Sequence, residues 1–202
     1  MEIIKYVTRS LVENVYIVVE NENCFIIDPG YDFNGIKNIL EERNLKPKFI
    51  ILTHGHADHI GSVEELKKLY NIPIYAHIEE KDLLNSPELN LSSQMYGDIS
   101  LEADHYVKEG DIINFENNEL KIIHTPGHTQ GGMCILMDGH IFTGDTIFAG
   151  SVGRTDLPTS NFEELKKSLN KLMLLDDDLI IHPGHNSDST IGRERISNPF
   201  IS

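Results

Sequence analysis

The chain has 202 residues, 40% hydrophobic and 24% charged, which is enough for one well-buried core and contains nothing that demands a second domain. Asp and Glu outnumber Lys and Arg by 32 to 17, and the formal charge of −15 disfavours a polyanionic partner such as nucleic acid. No apolar run approaches the roughly 20 residues of a membrane span, and Met1-Glu2-Ile3-Ile4-Lys5 lacks a basic region leading into a long apolar one, so a cytoplasmic protein with no membrane partner is expected.

In chain order, Val15 to Glu20 and Cys24 to Asp28 flank the polar turn Asn21-Glu22-Asn23 and predict a hairpin. The breakers Asp28-Pro29-Gly30 end its second strand. Ile36, Ile39 and Leu40 mark a short amphipathic helix closed before Pro47. Lys48 to Thr53 is short, β-branched and unbroken, which reads as a buried parallel strand. Ile60, Val63, Leu66, Leu69 and Tyr70 then recur at helical spacing. The stretch between strand and helix, Thr53-His54-Gly55-His56-Ala57-Asp58-His59, is a turn of the kind at which open α/β sheets place their chemistry.

Ile72 to Ala76 predicts another strand and Ile78 to Leu84 a helical turn. From Asn85 to Asp104 periodicity is lost, which predicts a mobile flap or a set of short helical turns. Two strand-like runs flank Glu109-Gly110-Asp111, and Leu120 to His124 alternates ahead of Thr125-Pro126-Gly127-His128. Met133 to Met137 and His140 to Thr143 frame the hairpin turn Asp138-Gly139, with Gly144-Asp145 directly after. Ser160-Asn161-Phe162-Glu163 has capping-box spacing for a helix carrying Phe162, Leu165, Leu169, Leu172 and Met173. Leu179 to His182 is a last buried strand, ended by Pro183-Gly184-His185. Cys24 and Cys134 lie isolated in apolar runs, which suits core packing in a reducing compartment and no disulfide framework.

Four strand ends therefore carry His or Asp. His54 and His56 are one residue apart, so on extended chain both side chains point the same way, and Asp58 and His59 follow as the chain turns. Neutral imidazole and carboxylate form a ligand set for zinc, and equally for iron or manganese. His128, Asp145 and His185 each stand just past a β run beside Pro or Gly and bring the candidates to seven, enough for two metals sharing a carboxylate. Of the other histidines, His77, His105 and His140 lack a ligand context, while His124 and His182 sit three or four residues before a candidate ligand and read as core or as supports orienting one.

This ordered set, spanning nearly the whole chain, resembles the metallo-β-lactamase superfamily. The resemblance implies an α/β fold, a four-layered αββα sandwich, over a single domain of residues 1–202. It also implies His54, His56 and His128 on a first metal and Asp58, His59 and His185 on a second, with Asp145 and a hydroxide bridging. The cofactor it implies is two divalent ions, zinc before iron or manganese. Two such ions, two carboxylates and one hydroxide leave about +1, which attracts an anionic or polar carbonyl substrate. Asp58 would orient the hydroxide as the catalytic residue.

Phe148-Ala149-Gly150, Gly153-Arg154-Thr155-Asp156, Ser189 to Gly192 and Asn198-Pro199-Phe200 are similar to the short glyoxalase II-like hydrolases. That similarity implies hydrolysis of a small-molecule thioester such as S-lactoylglutathione, with Arg154 binding a substrate carboxylate or, alternatively, bracing its own loop. Full-length glyoxalase II continues into a helical domain that supplies glutathione contacts, whereas this chain ends 17 residues after His185, so the thiol carrier stays open, with Met95 and Tyr96 as candidate replacements. A mononuclear iron persulfide dioxygenase, whose family shares a Gly-Arg-Thr-Asp stretch, a lactonase or β-lactamase, and a non-catalytic metal-binding module are the alternatives. Flavodiiron oxygen reductases are disfavoured because their first motif carries Glu where this chain has His56.

Overall fold

The computed structural model describes residues 1–95 and 97–201, so Tyr96 lies outside the described residues. The chain forms two compact units, Met1–Ala76 with Lys81–Tyr106, and His77–Glu80 with Val107–Ser202. Among the described residues no helix is long and apolar enough to cross a membrane.

The first unit is built on a six-stranded sheet in the order β1-β2-β3-β4-β5-β6, with β1 Glu2–Val7, β2 Asn14–Glu20, β3 Asn23–Ile27, β4 Lys46–Ile51, β5 Ile74–His77 and β6 His105–Val107. β1, β2 and β3 are antiparallel, while β3, β4 and β5 run parallel. The predicted hairpin is β2–β3, turned at Asn21 in the left-handed region. Helix α1, Phe33–Glu42, starts at Asp32, whose side chain accepts from Gly35 N, and buries Ile36 and Leu40. The helix predicted after the histidine motif is divided into α2, Ala57–Ile60, and α3, Val63–Tyr70. The interruption has a local cause: Ser62 Oγ donates to Gly30 O at 2.5 Å, and the Tyr31 ring lies 2.5 Å from where a Gly61 Cβ would stand. The core is continuous from Val15, Ile17 and Ile26 through Ile50, Leu52, Val63 and Leu66 to Leu84, Leu101 and Ala103.

Helix α4, Lys81–Asn85, leads into the stretch expected to be a flap or a set of short helical turns, and among its described residues Ser92–Gln94 forms a 3-10 turn. Buried Asn90 donates through Nδ2 to Ile99 O at 2.9 Å, and its own carbonyl accepts from Ala57 N at 2.8 Å. β1 had no sequence signal because its residues are evenly half-buried instead of alternating.

The second unit carries the sheet β14-β13-β10-β9-β8-β7, with β7 Ile112–Phe115, β8 Asn118–His124, β9 Met133–Met137, β10 His140–Gly144, β13 Ile180–Pro183 and β14 Ser189–Thr190. A small ribbon pairs β11, Ile147–Phe148, with β12, Ser151–Val152. The predicted β9–β10 hairpin turns through Asp138 and Gly139, both at positive φ. Helix α5, Phe162–Leu172, is capped by Asn161, one residue later than the capping box predicts, because Ser160 Oγ is spent on His128 O at 2.8 Å. Leu165, Leu169 and Leu172 pack with Ile123, Cys134, Ile141 and Ile181, while Phe162 is 49% exposed. The C-terminal helix α6, Ile191–Ser197, was not legible in the sequence.

Candidate metal centre

In the first unit the parallel register sends β3 and β4 out of the same sheet edge, so Asp28 and Thr53 emerge side by side. Asp28 Oδ1 accepts Thr53 N at 2.7 Å, and Oδ2 accepts the Thr53 hydroxyl at 2.5 Å and faces His59 Nδ1 at 3.0 Å. Thr53 Oγ1 is 3.2 Å from His54 Nδ1. An ionised carboxylate only accepts, so the Thr53 proton points at Asp28 and the Thr53 oxygen receives His54 Nδ1–H. This network assigns His54 and His59 the Nδ1–H tautomer and leaves each Nε2 a lone pair. Asp28, His54 and His59 also bring one atom each within 4.8 Å of one another. The Asp28 oxygens are occupied by these donors, so Asp28 is better suited to orienting the rings than to ligating.

His56 caps α2 in an extended conformation, which returns its ring to the side of His54, edge-on with centroids 5.0 Å apart. Asp58 occupies the first turn of α2, with Oδ2 3.8 Å from His59 Nε2. His54, His56 and His59 are all buried.

In the second unit β8 and β10 are each antiparallel to β9, and β13 is parallel to β10. All three therefore run the same way and deliver His128, Asp145 and His185 to one sheet edge. His128 Nδ1 donates to Arg154 O at 2.9 Å, so its Nε2 keeps a lone pair 3.6 Å from Asp145 Oδ2. The same Oδ2 is 3.8 Å from His185 Nε2. A Cβ on Gly153 would stand 1.8 Å from Asp145 O and 3.1 Å from His128 Nδ1, so the Gly-Arg pair serves to lay bare main chain against both residues.

Arg154 thus contributes its carbonyl. Its guanidinium forks onto Asp156, Nε to Oδ1 and Nη2 to Oδ2, both at 2.8 Å, and this partner raises the Arg154 pKa and lowers that of Asp156. Met95 is 38% exposed in the first unit.

The His128 loop is held by residues that no motif announces. Buried Glu80 accepts Thr129 Oγ1 at 2.6 Å and Gly131 N at 2.8 Å through one oxygen. His124 braces the same loop, with Nε2 3.1 Å from Gln130 O, and stacks on His77 with centroids 4.0 Å apart. Burial, and then the neighbouring His124, push the His77 pKa down to about 4. His182 bridges Asp188, 3.1 Å from its Nδ1, and His140 Nδ1, 2.9 Å from its Nε2. Of these supports, His124 and His182 had a sequence signal, three or four residues before a candidate ligand, whereas Glu80 had none and Asp28 reads in the sequence only as the end of a strand. Cys24 and Cys134 are buried free thiols, raised to about 12 and about 11 chiefly by burial.

Imidazoles whose Nδ1 faces an acceptor, set with their Nε2 lone pairs beside carboxylates, fit a divalent cation better than protons. Residues 9–185 match the metallo-beta-lactamase superfamily, and the chain belongs to it. It is a metallo-hydrolase of that superfamily, with its fold and with His/Asp clusters suited to a dinuclear metal site. The chain is 37% identical to the hydroxyacylglutathione hydrolase GloC of Haemophilus influenzae, over 94% of this chain and 93% of that protein. Among solved structures it is similar to the BLEG-1 B3 metallo-beta-lactamase, with TM-score 0.94, 32% identity and full coverage of both chains. It is also similar to TTHA1623 in a di-iron-bound form, with TM-score 0.88, 31% identity, and 98% of this chain and all of that one covered.

Proposed function

We propose that the protein hydrolyses a small acyl-thioester, with the two units acting as one catalytic domain. In this reading His54, His56 and His128 would hold one divalent ion, Asp58, His59 and His185 would hold a second, and Asp145 would be shared. Such ions, when bound, would supply Lewis-acid activation of water and of the thioester carbonyl. Asp58 accepts a hydrogen bond from the attacking water and aims it. Asp28, through Thr53 and directly, keeps His54 and His59 in the tautomer that presents Nε2. A thiolate is a good leaving group, so the chain needs no strong general acid.

The observation that carries the hydrolytic reading is the position of Asp145 Oδ2, within 3.8 Å of the Nε2 atoms of both His128 and His185, where one carboxylate serves two ligand sets. The thioester follows from likeness to the GloC relative. Free buried thiols and a thiol product both suit a reducing compartment, and we place the protein in the cytoplasm. Zinc is the preferred metal, with iron or manganese satisfying the same ligands.

The test is a panel of acyl-thioesters of different thiols, run on protein whose metals have been quantified. Release of free thiol in proportion to bound metal is expected. Oxygen consumption on a persulfide without thioester cleavage would replace the reading with the dioxygenase.

A further inference from the structure

The first unit contains a recess of about 360 Å³ lined by Arg9, Ser10, Tyr31 and Asp32. It adjoins the histidine motif through the chain itself. Ser62, just past α2, binds Gly30 O through Oγ and Pro29 O through N, and Asp32 N reaches back to Ser62 Oγ at 3.3 Å. The Tyr31 ring rests on Gly61, at the end of the helix that carries Asp58 and His59.

Arg9 comes from the β1–β2 loop, closed at its base by Thr8 N to Glu13 O at 2.8 Å and by Glu13 N to Thr8 Oγ1 at 3.1 Å. Val12 in this loop holds φ at 56°, a strained conformation for a β-branched residue and of a kind that clusters at ligand-contacting segments. The Arg9 side chain is 88% exposed, its ion pair with Asp32 is loose, Nε to Oδ2 at 3.7 Å, and it also interacts with the Tyr6 hydroxyl. Asp32 is already engaged by the Tyr6 hydroxyl at 2.6 Å and Gly35 N at 3.1 Å. Three other arginines are spent differently: Arg43 forks onto Glu2 at 3.0 and 2.9 Å, Arg154 forks onto Asp156, and Arg195 holds Met173 O and Leu175 O, while exposed Arg193 lies on α6 of the second unit. Asp32 therefore competes only weakly for Arg9, whose terminal N–H groups have the fork geometry for a planar anion.

We propose that this recess is an anion subsite in which Arg9 pairs with a carboxylate of the substrate while the Tyr31 side chain packs along its stem. The inference rests on the thioesterase reading and adds a substrate class to it. In a chain of net charge −15, one unsaturated guanidinium beside the metal motif selects among small thioesters.

The experiment uses two matched pairs on the metal-loaded protein. S-acetyl-N-acetylcysteine and S-acetyl-N-acetylcysteamine differ in a carboxylate on the thiol arm, and the succinyl and butyryl thioesters of N-acetylcysteamine differ in one on the acyl arm. The wild type should favour the carboxylate-bearing member of one pair, and that pair names the arm. Arg9→Gln should cut the preference about tenfold, through KM, as expected for losing one charge-assisted pair. Asp32→Asn keeps an N-cap residue and removes the competing charge, so the preference should grow. Equal ratios in the wild type and Arg9→Gln overturn the subsite and leave the thioesterase standing. If no thioester is cleaved, calorimetry with S-methyl-N-acetylcysteine and S-methyl-N-acetylcysteamine reads the subsite without turnover: carboxylate-dependent binding lost in Arg9→Gln upholds it, and its absence in the wild type overturns it.

Discussion

The two units assemble their candidate ligand sets in opposite ways. In the first, His54, His56, Asp58 and His59 lie within six residues, and one buried carboxylate, Asp28, organises two of the rings. In the second, His128, Asp145 and His185 come from three loops, each tied by something different: Glu80 and Ser160 hold the His128 loop, Gly153-Arg154 main chain lies on His128 and Asp145, and Gly184 N reaches Gly144 O at 2.8 Å. A contiguous set is fixed by local backbone geometry and one network. A dispersed set is only as precise as its separate tethers, so small changes far along the chain should disturb it more.

The largest effect should come from the one residue that joins ligands within the dispersed set. Asp145→Ala should lower the metal content, read by elemental analysis, and reduce thioester turnover by about 10³-fold, the scale of losing a principal electrostatic element of a site. Unaltered turnover in metal-quantified protein would sink the mechanism. Next comes the organiser of the contiguous set. Asp28→Asn keeps the volume but places an N–H₂ against Thr53 or His59, both of which need an acceptor. Metal affinity, measured by chelator competition, should fall about 10–100-fold, as for other groups that orient ligands.

Glu80 sharpens the contrast further, because it supports the dispersed set from a segment 48 positions before His128. Glu80→Ala removes one acceptor from two buried donors and should cost about 1–3 kcal/mol in denaturant unfolding together with a loss of metal affinity. Glu80→Gln retains the accepting oxygen and should recover most of both. If the two variants behave alike, the tether is not what places His128.

The same contrast explains what could be read from the sequence. The contiguous set was legible because its chemistry and its strand-to-helix context fall in one short window, and the hairpins were legible because their turns carry Asn, Asp and Gly. Glu80 was not, because its donors belong to a loop far along the chain and a glutamate in a helical turn reads as solvated surface. The division between α2 and α3 depends on Tyr31 and Gly30, which periodicity within the helix cannot register. The cap shift from Ser160 to Asn161 was hidden for a similar reason, since Ser160 serves His128. Residues 85–104 were opaque because Asn90 and Ser92 fix them through individual hydrogen bonds instead of a repeating apolar face.

The smallest predicted effect again falls on the second unit, through the short segment His77–Glu80 that carries Glu80. His77 is buried and stacked on His124, with Glu79, Glu109 and Asp111 opposing the shift only partly, and its pKa is lowered to about 4 from the usual 6.5. A depressed histidine pKa means that the unfolded chain binds the proton first. Between about pH 6.5 and pH 4 the unfolded state therefore carries more protons, and stability rises with pH across that window and is flat above it. From pH 7 to pH 5 the loss through His77 should be on the order of 1–2 kcal/mol. His77→Phe keeps an aromatic ring against His124 and removes the titration, so the difference in unfolding free energy between wild type and variant should tilt across this range. A difference independent of pH would show that His77 is not held neutral by burial. The protons taken up elsewhere in the chain are common to both proteins, so this difference isolates the titration of His77.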